Sequence, residues 1–213
     1  MKTIKPEIKT KRFLILGHPR CRTGYMARLF QRIGFKVGHE TMDEDGISSW
    51  LFAVISSKEV RWGSFKPEMR SRGLAFNHVV HVIRDPVTSI ASIVTESRAS
   101  EEFRKQHVMI YEKSNPIERA VQSYVGWNKL ISAQQPNLVV KLENAYPLVC
   151  DYMVKNRVAF NTGVRLPPTD FNSRKNRGDY PSIGYGEIEN SISSELLYEF
   201  NRQIGDYEML DAK

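Results

Sequence analysis

The sequence predicts an α/β protein of three layers, in which a central parallel sheet of about four to five strands is flanked by helices. Short apolar segments rich in β-branched residues alternate along the chain with segments of helical periodicity. This alternation is typical of a parallel sheet covered on both faces. No internal repeat or low-complexity linker divides the 213 residues, so we expect a single domain over 1–213, with 1–11 as a flexible basic tail.

In the first half of the chain, the ends of the apolar runs predict where strands and helices begin and end. Residues 13–16 are apolar and end at Gly17, a basic turn follows, and helical periodicity begins near Thr23. A short second strand is expected over 35–39. The apolar run over 47–55 predicts a buried helix.

The second half continues the alternation. The β-branched run over 77–84 predicts a buried parallel strand. Asp85 and Pro86 are typical of a helix start, because proline suits the first helical position. The remaining expected elements are a helix over 87–94, a helix over 117–133, a strand over 138–142, a helix reaching about 155, a loop over about 161–186 and an amphipathic helix over 192–204.

Composition narrows the functional classes. The net charge of +7 favours an anionic partner, but the basic residues are spread among several loops, which argues against nucleic acid. No apolar run approaches the roughly 20 residues of a membrane span, and the N-terminus lacks the apolar stretch of a signal peptide, so we expect no transmembrane segment and a cytoplasmic protein. Cys21 and Cys150 do not make a disulfide framework, and no zinc-like spacing is present, so no metal is expected.

The segment 17–24 has the order of strand, basic loop and helix, which predicts an anion site. Backbone N–H groups and the positive end of the helix dipole would converge there. A Walker A loop is excluded because Gly17 and Gly24 are too far apart and Tyr25 stands where its lysine would be. A cysteine-phosphatase loop is excluded because Arg28 lies one residue too far from Cys21.

This loop resembles the 5′-phosphosulfate loop of sulfotransferases that use 3′-phosphoadenosine 5′-phosphosulfate (PAPS). The resemblance implies that Arg20 holds the sulfuryl group, and that the Thr23 hydroxyl and nearby N–H groups cap the helix and bind the 5′-phosphate. The sequence departs from the family at Cys21, where Ser or Thr is usual, and at Arg22, where Gly is usual. The cosubstrate-binding residues implied here are Pro19, Arg20, Cys21, Arg22, Thr23, Gly24 and Tyr25.

A second segment resembles the 3′-phosphate motif of the same family. Arg84 ends a strand and Ser92 follows eight residues later on the next helix, so the two could hold one phosphate between them. Together the two motifs imply a P-loop-like sulfotransferase fold, PAPS as cosubstrate without a metal, and an acceptor hydroxyl on a carbohydrate, lipid or small metabolite.

Other matches to the family are looser. Trp127 lies where the family has an aromatic residue that helps to frame the adenine, although a core aromatic fits the pattern equally well. Glu143 lies where the strand predicted over 138–142 ends, in a Leu-Glu-Asn sequence that resembles the family's pattern at this position. Arg174 and Lys175 lie where the family has a basic loop over the 3′-phosphate, although a solvated basic loop has the same composition.

The catalytic base is expected at the end of the second strand, in the pair His39 and Glu40. Adjacent residues of an extended strand point in opposite directions, so only one of the pair is expected to face the site. Glu40 fits the family's glutamate base, whereas His39 has an ordinary pKa nearer neutrality. With Arg20 they form the expected catalytic set, and Glu40 is preferred.

Two other functions remain open from the sequence. A small kinase-like phosphotransferase of the same fold is disfavoured by the missing Walker lysine. A nucleotide-binding protein without turnover stays open because Arg22 places a bulky residue in the loop.

Overall fold

The computed structural model of the chain describes residues 9–54, 74–168 and 181–210. Within them the strands form a single sheet in which every neighbouring pair is parallel and the spatial order is β2-β3-β1-β4-β5. The strands are β1 (Lys9–Leu16), β2 (Val37–His39), β3 (Gly46–Ser48), β4 (Leu74–Ile83) and β5 (Leu138–Lys141). The predicted fold class is therefore confirmed.

Helices flank this sheet on both faces. They are α1 (Thr23–Arg32), α2 (Pro86–Val94), α3 (Arg98–Lys105), α4 (Pro116–Ser132), α5 (Ala145–Lys155), α6 (Tyr185–Ser191) and α7 (Ser194–Met209), with a 3₁₀ turn at Leu51–Val54. In the described ranges no helix has the length and apolar character to cross a membrane.

The core lies on the two faces of β1. Phe13 and Ile15 pack on one face against α1 and α5, whereas Leu14 and Leu16 pack on the other against the 3₁₀ turn, α3 and α4. Successive strand residues point to opposite faces, so one short apolar run supplies both cores. A third cluster, formed by α2, α4, α6 and α7, covers the end of the sheet where the chain leaves β1 and β4.

Three expectations about the elements were wrong. β1 begins at Lys9, so residues 9–11 belong to a strand rather than to a tail. The described part of the run over 47–55, residues 47–54, is not an α-helix: β3 pairs with β1 through Leu14 and Ile47, and the 3₁₀ turn follows. Buried strands and buried helices are both continuously apolar, so periodicity does not separate them. α3 and α6 were not predicted.

Gly46 explains why β3 can pair so closely with β1. Its φ is +146°, and a Cβ added there would lie 1.9 Å from the carbonyl oxygen of Phe13. Only glycine fits this approach.

The strand order also indicates the edge of the sheet at which a ligand would bind. From β1 the chain passes to β2 on one side of the sheet, and from β4 it passes to β5 on the other side. In open parallel sheets ligands bind beyond the carboxyl ends of the strands at such a reversal. The two predicted anion motifs follow β1 and β4, so both lie at this edge.

Candidate functional site

The loop after β1 and the segment after β4 are in direct contact. Arg20 Nε donates to Ser92 Oγ at 2.9 Å. The Arg84 backbone N–H donates to the Cys21 sulfur, and the Tyr124 hydroxyl donates to the Arg84 carbonyl at 3.1 Å. The structure thus brings the two motifs together, with Arg20 rather than Arg84 as the cation bonded to Ser92. Ser92 is 6% exposed, so the bond between its hydroxyl and Arg20 is shielded from solvent on the Ser92 side.

The start of α1 differs from the expected cap. Arg22 is the N-cap residue, with φ 58° and ψ 47°, and no side chain caps the helix. Its carbonyl accepts the amides of Tyr25 and Met26 at 3.0 and 3.3 Å. The amides of Thr23 and Gly24 come before any intrahelical acceptor, which makes them the donors that a bound anion would use. The prediction that the Thr23 hydroxyl caps α1 was wrong, because Arg22 occupies the cap position.

Tyr25 and Cys21 are not placed to touch a ligand with their side chains. Tyr25 is 8% exposed within the core, and burial raises its pKa. Cys21 is fully buried beside α2 and α4, and its amide donates to the His18 carbonyl at 2.8 Å. Burial raises the pKa of the Cys21 thiol to about 11, only partly offset by the Arg84 N–H. Both side chains therefore pack behind the loop, and the binding of the cosubstrate by these two residues stays a prediction. Pro19 is half-buried in the turn before Arg20.

His39 contacts the start of α1, and Glu40 lies beside His39. His39 Nε2 lies 3.2 Å from Thr23 Oγ1 and 3.7 Å from Glu40 Oε1. Ser49 donates its hydroxyl to Glu40 Oε2. Glu40 has φ 54°, so the alternation of the strand stops at His39. That only one of the pair faces the site stays a prediction.

The electrostatics of this pair favour Glu40 as a proton acceptor. Burial raises the pKa of the Glu40 carboxyl to about 7, although hydrogen bonds from Ser49 and the Trp50 N–H counteract it. Burial lowers the pKa of His39. A general base is most effective when its pKa lies near the working pH. Glu40 therefore has the protonation behaviour that such a role needs.

Two further expectations concern residues away from this cluster. Trp127 is fully buried, and its ring packs against Trp50, Phe103 and His107, so it is a core residue and not a platform for adenine. Arg174 and Lys175 lie outside the described residues. Glu143, at the end of β5, accepts the Tyr207 hydroxyl at 2.9 Å.

Sequence reasoning missed two residues of the site. Ser49 was hidden because its segment was predicted to be helical. His18 lies inside the loop motif, fully buried, and its Nδ1 accepts the Arg20 backbone N–H at 3.4 Å. For His18 the available signal was a polar residue two positions after a buried strand.

No group of three or more His, Cys, Asp or Glu side chains that could hold a metal occurs among residues 9–54, 74–168 and 181–210. The side chains assembled at the sheet edge are cations, hydroxyls and one carboxyl-imidazole pair. Such a set can bind an anion and accept a proton.

Comparison with known proteins yields a structural likeness. No protein-family model matches the sequence, and no curated protein matches it. The chain is similar to the crystal structure of mouse sulfotransferase SULT7A1 complexed with PAP, with 11% sequence identity, a TM-score of 0.36, and coverage of 95% of this chain and 85% of that one.

Proposed function

We propose that this protein is a PAPS-dependent sulfotransferase that transfers a sulfuryl group to an acceptor hydroxyl on a carbohydrate, lipid or small metabolite. The observation that carries the proposal is the bond between Arg20 Nε and Ser92 Oγ, at 2.9 Å, which joins two anion-binding motifs at one sheet edge. The likeness of those motifs to the sulfotransferase pattern supports the same assignment, with the whole chain acting as one domain.

The residues at the edge fit an anionic nucleotide. The amides of Thr23 and Gly24 at the start of α1 suit the 5′-phosphate, and Arg84 suits the 3′-phosphate because a guanidinium binds phosphate oxygens in pairs. Arg20 is bonded to Ser92, which lies on the helix that follows Arg84. When bound, the cosubstrate supplies an activated sulfuryl group whose transfer releases adenosine 3′,5′-bisphosphate.

The chain's own groups then have separate tasks. Glu40, with its pKa raised to about 7, takes the proton from the acceptor hydroxyl. His39, 3.2 Å from Thr23 Oγ1, ties this base to the phosphate-binding loop. Arg20 and the start of α1 neutralise the negative charge that builds up on the leaving phosphate, as preorganised donors do in phosphoryl transfer.

Calorimetric titration with adenosine 3′,5′-bisphosphate tests the proposal. We expect saturable binding that Arg84→Ala weakens about 10- to 100-fold, because a charge-assisted hydrogen bond contributes about 1.5–3 kcal/mol. Arg98→Ala is the matched control: it also removes one arginine charge, but that side chain is 90% exposed on α3. It should leave the affinity unchanged.

Three results would count against the assignment. The absence of binding, or an equal effect of both substitutions, would reject the site. Greater thermal stabilisation by ATP with Mg²⁺ would favour a kinase-like phosphotransferase. Binding without sulfate transfer to any acceptor in a panel of sugars, lipids and small alcohols would favour a nucleotide-binding protein without turnover, for which Arg22 in the loop is the supporting feature.

A further inference from the structure

A chain of buried polar side chains lies behind the loop after β1 and takes no part in the chemistry described above. His18, Ser123 and Arg104 are each at most 1% exposed. His18 Nε2 lies 3.0 Å from Ser123 Oγ, and Arg104 Nε lies 2.6 Å from the same oxygen. Buried polar groups are costly unless they are hydrogen-bonded, so this chain has a defined geometry.

The other end of the chain reaches the segment that follows α2. Arg104 Nη2 lies 2.9 Å from Glu96 Oε2, and Arg104 Nη1 donates to Ser100 Oγ at 2.8 Å. Glu96 comes four residues after Ser92, whose hydroxyl accepts from the Arg20 guanidinium. Together with the backbone of residues 92–96, these contacts form a closed ring that begins and ends at Arg20.

The donors in this closed set of contacts determine the tautomer of the His18 imidazole. A backbone N–H can only donate, so His18 Nδ1 must be the unprotonated acceptor for Arg20. The proton of the neutral ring is then on Nε2, from which it is donated to Ser123 Oγ. Arg104 Nε also donates to that oxygen, which uses both acceptor positions of the hydroxyl.

We propose that His18 is a positioning residue that acts through Arg20. As the neutral Nε2–H tautomer it holds the backbone of Arg20, while Ser92 holds the guanidinium, so that Arg20 is oriented before the anion arrives. This inference rests on the proposed function of the loop as an anion site. Burial, followed by the nearby charges of Arg104 and Arg20, lowers the pKa of His18 well below its usual value, in agreement with a neutral ring.

Two substitutions separate the contacts of His18. His18→Asn keeps an acceptor near the Nδ1 position and loses the bond to Ser123, whereas His18→Gln keeps a donor near Nε2 and loses the bond to Arg20. We expect His18→Gln to weaken binding of adenosine 3′,5′-bisphosphate about three- to tenfold, the effect of one hydrogen bond. His18→Asn should retain most of the affinity.

Ser100→Ala is the matched control for stability. It removes bonds to Glu96 and Arg104 but touches neither His18 nor the loop. We expect a lower melting temperature with unchanged nucleotide affinity. If Ser100→Ala and His18→Gln reduce affinity equally at equal loss of stability, the positioning role is rejected. Greater loss of affinity in His18→Asn than in His18→Gln would also overturn it.

A further measurement uses the unsubstituted protein without nucleotide, so it does not depend on whether the variants fold. The ¹⁵N chemical shifts of the His18 ring should show the Nε2–H tautomer from pH 5 to 8, and the Arg20 amide should exchange slowly with solvent. The Nδ1–H tautomer or a charged ring would overturn the inference even if nucleotide binds. A correct tautomer without nucleotide binding would instead reject the proposed function and leave the structural role of His18.

Discussion

At the scale of single residues, the left-handed conformation of Arg22 is the feature that most distinguishes this loop. Its φ of 58° is one that glycine adopts freely and other residues adopt at a cost of about 1 kcal/mol. The same position adds a positive charge at the N-terminus of α1, where an anion would bind. Backbone strain and ligand attraction therefore oppose each other at one residue.

Substitutions at Arg22 separate those two effects. Arg22→Gly should raise stability by up to about 1 kcal/mol in chemical denaturation and weaken binding of adenosine 3′,5′-bisphosphate, because strain and charge are removed together. Arg22→Lys keeps the charge and Arg22→Asn tolerates the conformation without it. Equal nucleotide affinity of the Gly, Asn and Lys variants would show that the charge has no role.

At the scale of elements, the start of α2 connects fold and site. The Asp85 side chain accepts the Thr88 amide at 2.7 Å and Pro86 opens the helix, as the sequence predicted. Since α2 carries Ser92, a frayed first turn would displace the hydroxyl that holds Arg20. The cap is therefore expected to influence affinity as well as stability.

Removal of this cap gives an element-scale prediction. Asp85→Ala should cost about 1 kcal/mol, which corresponds to a melting temperature about 2–4 °C lower in a domain of this size, and should weaken nucleotide binding. Ser193→Ala removes the corresponding cap of α7, where Ser193 accepts the Leu196 amide at 3.3 Å. It should cost comparable stability without loss of affinity; if both variants bind equally well, the link between cap and site is wrong.

At the scale of the whole molecule, Glu40 links stability to pH. Its pKa of about 7 in the folded protein lies above the usual value of 4.5, so the folded state binds more protons than the unfolded state between these values. The stability that protonated Glu40 contributes is complete below about pH 4.5 and is lost as the pH rises through about 7. Ionised Glu40 therefore destabilises the fold in the range where it can act as a base.

Glu40→Gln should stabilise the protein at pH 8 by roughly 1–3 kcal/mol and have little effect at pH 4.5, as measured by chemical denaturation at both pH values. Sulfate transfer should fall about 10²- to 10⁴-fold.

Ser49→Ala provides the second arm of this experiment. It removes a hydrogen bond that favours the ionised carboxyl, so the acidic limb of the activity profile should move to higher pH. An unchanged profile in Ser49→Ala, or greater stabilisation of Glu40→Gln at pH 4.5 than at pH 8, would contradict the assigned pKa.

The sequence by itself determined the sheet's class and the position of the two motifs. The apolar run over 13–16 and the β-branched run over 77–84 indicated buried parallel strands, and β1 and β4 are the neighbours at the centre of the sheet. The strand–loop–helix order then placed Arg20 in the loop after β1 and Arg84 directly after β4. These features are local, because they depend on apolar periodicity and on the residues that end a strand.

Only the tertiary structure decided which side chains face the proposed anion site. Cys21 and Tyr25 turned inward because the loop packs against α2, α4 and the core, and Trp127 is enclosed by aromatic rings from Trp50 and Phe103. The contact of His18 with Ser123 joins two segments that lie far apart in the chain. The contact of Ser49 with Glu40 depends on the positive φ of Glu40. Such contacts arise from the packing of whole elements, and no residue pattern in a single segment specifies them.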